Sequence, residues 1–326
     1  MASPLTRSDI EAAASRIAPH VRRTPVLDLG DPVGRGFRLG LKLDSMQPTG
    51  SFKVRGAFSL LTAGGIPAAG VVAASGGNFG LAVAHAAREL GHRATVFVPS
   101  SSPGEKLERF AGLGAEVRIV DGFYDEALRA SRSWATESGA LLAHAYDQAE
   151  VVAGQGTCAL EISEQAPEVG EVVVAVGGGG LIAGIASWFR GKVSVIGVES
   201  EGCPTMHSAR RAGHPVPVKV GGVAASSLGA SILGDHAWMA NDWVDDSILV
   251  SDAEIVAAQG WLWETCRVLA EPAACAPLAA LLTGRHVPER GEQVMVVVSG
   301  ANTRGLTGQA PVGSIKPNSS PPGPST

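Results

Sequence analysis

Along most of the chain, runs of four to six nearly uninterrupted apolar residues alternate with longer stretches whose apolar positions recur every three or four residues. The runs are Val71–Ala74, Ala94–Val98, Val117–Val120, Ala140–Ala143, Val172–Val176, Val193–Val198 and Val294–Val298. Between them the spacing predicts helices over about 80–90, 105–113, 124–136, 157–165, from Leu181, and over about 252–269 and 273–282. Strands that are apolar on both faces and separated by helices belong to parallel sheets covered on both sides. The pattern therefore predicts an α/β fold, doubly wound. Before this alternation, Ser8-Asp9-Ile10-Glu11 reads as a capping box opening a helix with Ile10, Ala13, Ala14 and Ile17 on one face. Leu39, Leu41 and Leu43 alternate with small or polar residues as in a strand, and Thr49-Gly50-Ser51 offers the next helix start. No fixed-period repeat is present, and residues 306–326, rich in Pro, Gly and Ser with one charge, are expected to be a disordered tail.

Composition narrows the function classes. Of 326 residues, 45% are hydrophobic and 17% charged, which excludes general disorder. Lys and Arg number 26 against 31 acids, with no basic block, so neither nucleic acid nor an anionic membrane is expected as a partner. Val172 to Phe189 carries no charge, but Gly177 to Gly180 divide it into a strand and a helix rather than a membrane span. The first ten residues include Arg7 and Asp9 and lack an apolar core, so no secretion signal is read there. Cys158, Cys203, Cys266 and Cys275 form no CxxC pair and are expected as reduced thiols in a cytoplasmic protein.

Ligands of open parallel sheets sit where strands lead into helices, and four such loops carry chemistry. Gly177-Gly178-Gly179-Gly180 lets backbone approach a ligand closely, and the helix that follows offers free N–H groups to an anion, most naturally a phosphate. No Gly-Lys-Ser/Thr follows, which excludes an ATP-type P-loop. The same stretch admits a rival reading: Gly178, Gly180 and Ala183 fit G-x-G-x-x-A, and Glu199 lies about 20 residues on, where a ribose-binding acid would stand. In Gln47-Pro48-Thr49-Gly50-Ser51-Phe52-Lys53-Val54-Arg55-Gly56-Ala57, Lys53 falls in the first turn of a helix between apolar neighbours. Both settings disfavour the ammonium form, as a Schiff-base lysine requires. Ser75-Gly76-Gly77-Asn78 is suited to a carboxylate and to a ligand oxygen. Ser299-Gly300-Ala301-Asn302 ends the last strand and points a hydroxyl toward the cleft.

Together these loops resemble the pyridoxal-phosphate-dependent serine/threonine dehydratases of the tryptophan-synthase β-type fold, fold type II, over about residues 9–305. Gln-Pro-Thr-Gly-Ser-Phe-Lys-x-Arg-Gly-Ala carries most of the resemblance. Ala153-Gly154-Gln155-Gly156-Thr157, the four glycines, Val198-Glu199-Ser200-Glu201-Gly202, Ala270-Glu271-Pro272-Ala273 and Ser299-Gly300-Ala301-Asn302 support it. The resemblance implies that Lys53 binds the cofactor and acts as base at Cα, Phe52 packs on its ring and Asn78 meets its phenolic oxygen. It implies further that Gly177 to Gly180 and Leu181 take the phosphate and Ser299 faces the ring nitrogen. The substrate carboxylate then lies on Ser75, Gly76, Gly77, Asn78 and Phe79. It implies two domains, 1–68 with 145–305 and an inserted 69–144, and a homodimer.

The implied reaction is β-elimination: serine gives pyruvate, threonine 2-oxobutanoate, each with ammonia. The alternatives are a β-replacement synthase or racemase on the same cofactor, a cofactor-binding protein without turnover, and more remotely the nicotinamide dehydrogenase. Gly76 lacks the hydroxyl that similar serine racemases use, so racemisation is expected to be weak or absent. Phe79, Leu81 and Ala145 replace the usual His, Gln and Pro around the pocket. Glu199 resembles the glutamate with which some relatives hold a divalent cation, but Thr205 stands where their second acid would be, so no metal is expected. The chain ends without the regulatory domain of biosynthetic threonine dehydratases, and isoleucine feedback is not expected.

Overall fold

The structure, a computed structural model, describes residues 4–305 apart from 101, 103, 123, 290 and 304; the tail read at 306–326 lies outside the described residues. The chain runs α1 (Arg7–Ile17), β1 (Val26–Asp28), β2 (Arg38–Lys42), α2 (Lys53–Ala63), β3 (Val71–Ala74), α3 (Asn78–Glu89), β4 (Ala94–Pro99), α4 (Gly104–Gly112) and β5 (Glu116–Val120). It continues through α5 (Tyr124–Ser138), β6 (Leu141–Ala143), α6 (Ala149–Gln165), β7 (Glu171–Ala175), α7 (Gly180–Phe189), β8 (Ser194–Ser200) and α8 (Thr205–Ala212). Two short helices, α9 (Ala225–Leu228) and α10 (Asp235–Met239), precede β9 (Asp246–Val250), α11 (Asp252–Cys266), α12 (Pro272–Thr283) and β10 (Gln293–Val297).

Two sheets result. One has the order β1-β2-β10-β7-β8-β9 and is parallel except for β1, which pairs antiparallel with β2. The other, β5-β4-β3-β6, is wholly parallel and draws its strands from residues 71–143. The α/β class with parallel sheets is as the pattern predicted. Burial explains the pattern: Val172, Val174 and Val176 enter the apolar layer under α1, α6 and α7, while Val173 and Ala175 enter the layer under α11 and α12. With a core on each side, the positions of β7 after Glu171 are all apolar.

Several local expectations are corrected. The capping box of α1 is formed by Thr6 and Asp9, not Ser8 and Glu11, because Thr6 has the extended backbone an N-cap needs. Helix α2 starts at Lys53 with no side-chain cap, since the Thr49–Ser51 segment pairs with the chain after β10 instead. Lys42, one of the residues that alternate with the leucines of β2, is fully buried among ionic partners. Helix α6 begins at Ala149, eight residues before the predicted start. Gly154 and Gly156 lie inside it: a Cβ on Gly154 would meet Arg55 O of α2 at 2.5 Å, and one on Gly156 would meet Gly184 O of α7 at 3.0 Å. From α7's side, a Cβ on Gly184 would lie 2.5 Å from the backbone nitrogen of Gly156. These glycines are contact surfaces, each tolerated at roughly 1 kcal/mol of lost helix propensity. Strands β1 and β9 and helices α8 to α10 had no signal; they are short, and the strands lie at the sheet's edges.

Candidate active site

The site grows from the start of α2. Arg55, fully buried, donates Nε and Nη2 to Asp44 at 2.8 and 2.7 Å, and Nη1 and Nη2 to Glu161 of α6 at 2.7 and 2.9 Å. Lys42 Nζ completes the cluster by donating to Glu161 at 2.5 Å and to Thr24 O at 2.7 Å. Two cations face two carboxylates, so the buried charge is balanced. The Arg55 guanidinium holds the Asp44 carboxyl below its ordinary range against the opposing effect of burial. Just upstream, Phe52 N donates to Ser299 O at 3.0 Å and Ala301 N to Gly50 O at 2.9 Å, which stitches the approach to Lys53 against the loop after β10.

Lys53 is thereby fixed at the first helical position of α2, half-buried, with Nζ donating to Ala145 O at 2.8 Å. The rings of Phe52 and Phe79 stand 5.0 and 5.8 Å from Nζ. Loss of water lowers its pKa to about 8, although the charge of Glu271 acts the other way. An amine so placed is available as a base and nucleophile near neutral pH.

The four glycines form the turn from β7 into α7. Gly179 takes φ +90°, a left-handed conformation that suits glycine, and α7 has no side-chain cap, so its first N–H groups remain for a ligand. A Cβ on Gly178 would lie 2.3 Å from Tyr146 Cγ, and one on Gly180 2.8 Å from Tyr146 O. Gly178→Ala should therefore displace Tyr146 and weaken pyridoxal phosphate binding about tenfold or more, about 1.4 kcal/mol. Titration of the cofactor into the apoprotein measures this, and unchanged affinity would refute the cradle.

Phe52, Lys53, Asn78, Gly177 to Gly180, Leu181 and Ser299 line one cavity, together with Tyr146 and Glu271. An adjoining cavity of about 350 Å³ is walled by Lys53, Gly178, Tyr146 and the whole of Ser75 to Phe79. Every residue singled out for the cofactor or substrate thus borders one of two cavities that share Lys53. Sequence reasoning missed Tyr146, Ser226, Ser227, Ser102 and the part played by Glu271. The last stood inside a noted stretch, Ala270-Glu271-Pro272-Ala273, whereas the serines carried no motif.

Glu199 is fully buried elsewhere. Its carboxylate accepts from Met206 N, His207 N and the hydroxyls of Thr205 and Ser247 at 2.7 to 3.0 Å. It fastens the start of α8 to β9 and presents nothing to a ribose, which removes the acid from the dinucleotide reading. Among the described residues, no group of three or more His, Cys, Asp or Glu is arranged to hold a metal ion.

A family profile described as pyridoxal-phosphate dependent enzyme matches residues 17–300. The chain belongs to this family. The enzyme is 37% identical over 300 residues to the L-threonine ammonia-lyase of Geobacter sulfurreducens, covering 90% of this chain and 74% of that one. Among solved structures, it superposes on the threonine deaminase of T.th. with a TM-score of 0.85 at 34% identity, covering 92% and 99% of the two chains. Maize serine racemase gives a TM-score of 0.87 at 31% identity, covering 92% and 94%. The glycine cradle, the anion-ready start of α7 and the cavity-lining amine of Lys53 fit pyridoxal phosphate.

Proposed function

We propose that the enzyme converts a small hydroxy amino acid, L-serine or L-threonine, into the corresponding 2-oxo acid and ammonia, water being lost at Cβ and regained on hydrolysis. One observation carries this reading: the Lys53 amine lies where the glycine-lined cavity meets the cavity bounded by Ser75 to Phe79. The named activities of the ammonia-lyase and deaminase relatives agree with it.

When bound on Lys53, pyridoxal phosphate supplies the electron sink that acidifies the Cα proton and lets a β-substituent leave. Gly177 to Gly180 and Leu181 would hold its phosphate with backbone N–H groups, Phe52 would pack on the ring, Asn78 would donate to the phenolic oxygen and Ser299 would offer the ring nitrogen a neutral hydroxyl. Ser75 to Phe79 at the start of α3 receive the substrate carboxylate on backbone N–H groups. Lys53 Nζ, once released, takes the Cα proton. Because the released amine must be unprotonated to do so, kcat for L-serine is expected to rise with pH and level off above about 8, the value to which burial lowers it. A profile flat between about pH 6 and pH 9 would count against Lys53 as the base.

A second reading has one observation of its own. Ser102 Oγ stands 3.0 Å from the point a Gly76 Cβ would occupy and borders the same cavity as Lys53. The hydroxyl absent from Gly76 is thus available from a different loop, able to protonate Cα on a second face. Any D-serine formed from L-serine is expected to vanish in Ser102→Ala while pyruvate formation persists; D-serine retained at the wild-type rate would discard this role.

We assign residues 1–68 and 145–305 to a large cofactor-binding domain and 69–144 to a small inserted one, supported by the separate origins of the two sheets. We also propose a cytoplasmic homodimer. Four free thiols agree with that compartment, and the dimer follows the resemblance; sedimentation at the mass of one chain would refute it. No helix among the described residues is long and apolar enough to cross a membrane.

A further inference from the structure

Glu271 occupies the N-cap position of α12 yet makes no side-chain capping bond; it is 5% exposed and lines the cavity with Lys53 and Ser299. Its Oε1 accepts from Asn78 Nδ2 at 2.8 Å. Among the described residues around that cavity it is the one acid.

The amide of Asn78 cannot turn over freely, and the reason lies in its neighbour Asn302. The carbonyl of Thr49 only accepts and the guanidinium of Arg109 only donates. Asn302 spans them, giving Nδ2 to Thr49 O at 2.8 Å and taking Arg109 Nη2 on Oδ1 at 2.8 Å. With its own orientation fixed, Asn302 Nδ2 also donates to Asn78 Oδ1 at 2.9 Å. Asn78 must then direct Nδ2 at Glu271, and only an acceptor there completes the chain.

We propose that Glu271 is a positioning residue of this site: its carboxylate holds Asn78 with an N–H facing the cofactor cavity, and it sets a negative charge against the Lys53 ammonium. The inference rests on the cofactor role proposed for Lys53 and Asn78. Burial and the Glu271 charge act on the Lys53 amine in opposite directions. The other titratable groups facing this pair are Tyr146 and His144 on the loop before α6, Cys275 one turn along α12, and Arg109 at the mouth.

Glu271→Gln keeps an oxygen for Asn78 and removes the charge, whereas Glu271→Leu removes both. Two quantities are read on the full chain. One is the pH midpoint for acylation of Lys53 by an amine-selective reagent without cofactor, followed by mass spectrometry; the other is the Kd for pyridoxal phosphate. In Glu271→Gln the midpoint should fall by about one pH unit, with Kd within about threefold of wild type. In Glu271→Leu the same fall should come with binding weakened about tenfold or more. A lowered melting temperature alone would leave the midpoint in place, and if the leucine variant does not fold, the glutamine variant decides. Identical midpoints in wild type and Glu271→Gln overturn the proposal, as does wild-type affinity in Glu271→Leu. Failure of the underlying function reads differently: the wild-type chain would bind no pyridoxal phosphate at all.

Discussion

Arg55→Met is expected to lower folding stability by about 3–5 kcal/mol, because it leaves the buried carboxylates of Asp44 and Glu161 facing each other with Lys42 as their remaining cation. Each carboxylate now accepts two hydrogen bonds from the guanidinium at 2.9 Å or less. Those bonds are lost together, and methionine returns only apolar contact. For a chain of this size the melting temperature should drop by about 10 °C. Chemical denaturation measures the free energy directly; a loss under about 1 kcal/mol would mean that the cluster holds little. The effect should reach activity as well, since Arg55 sits two positions after Lys53 on α2 and its partners Asp44 and Glu161 fix that helix from both sides.

Lys53→Ala is expected to abolish turnover, by about 10⁴-fold or more, since both the covalent attachment and the base are removed at one atom. The visible absorbance of the purified protein should disappear. The melting temperature of the apoprotein should hold or rise, because Lys53 Nζ gives up a hydrogen bond to Ala145 O while its burial disfavours the charge it carries. Added ethylamine should restore a small part of the activity by entering the space the side chain leaves. A variant that turns over L-threonine at a tenth of the wild-type rate would remove Lys53 from the mechanism.

The parallel sheets were legible because burial on both faces keeps the middle of the central strands apolar, as at Val172 to Ala175. The cofactor loops were legible for a related reason: Gly178 stands where no side chain fits and Gly179 where neither a side chain nor an ordinary φ is tolerated, and such positions mark the sequence strongly. Legibility failed where one residue type serves two purposes. Gly154 and Gly156 fell before the predicted helix start at about 157, yet they lie within α6, because the need for close helix contact outweighs the helix propensity they forfeit. The burial of Lys42 was not legible from the alternating strand, since its partners lie 18 and 119 residues away. Ser102, Ser226 and Ser227 join the site from loops whose local sequence carries no periodicity, and their placement depends on tertiary packing alone.

The side-chain-free crossings of α6 have a consequence for ligand entry. Through Gly154 this helix touches the one that carries the amine, and through Gly156 the one that opens from the anion-binding turn, in both cases with atoms that have no rotamers to adjust. Amine and anion turn are thus mounted on a common rigid spine, and the separation between them is as fixed as the thickness of a polypeptide backbone. A ligand anchored at both ends cannot be accommodated by stretching that side. Any movement that admits an amino acid therefore falls to the opposite wall, where the β3-to-α3 loop lines the cavity.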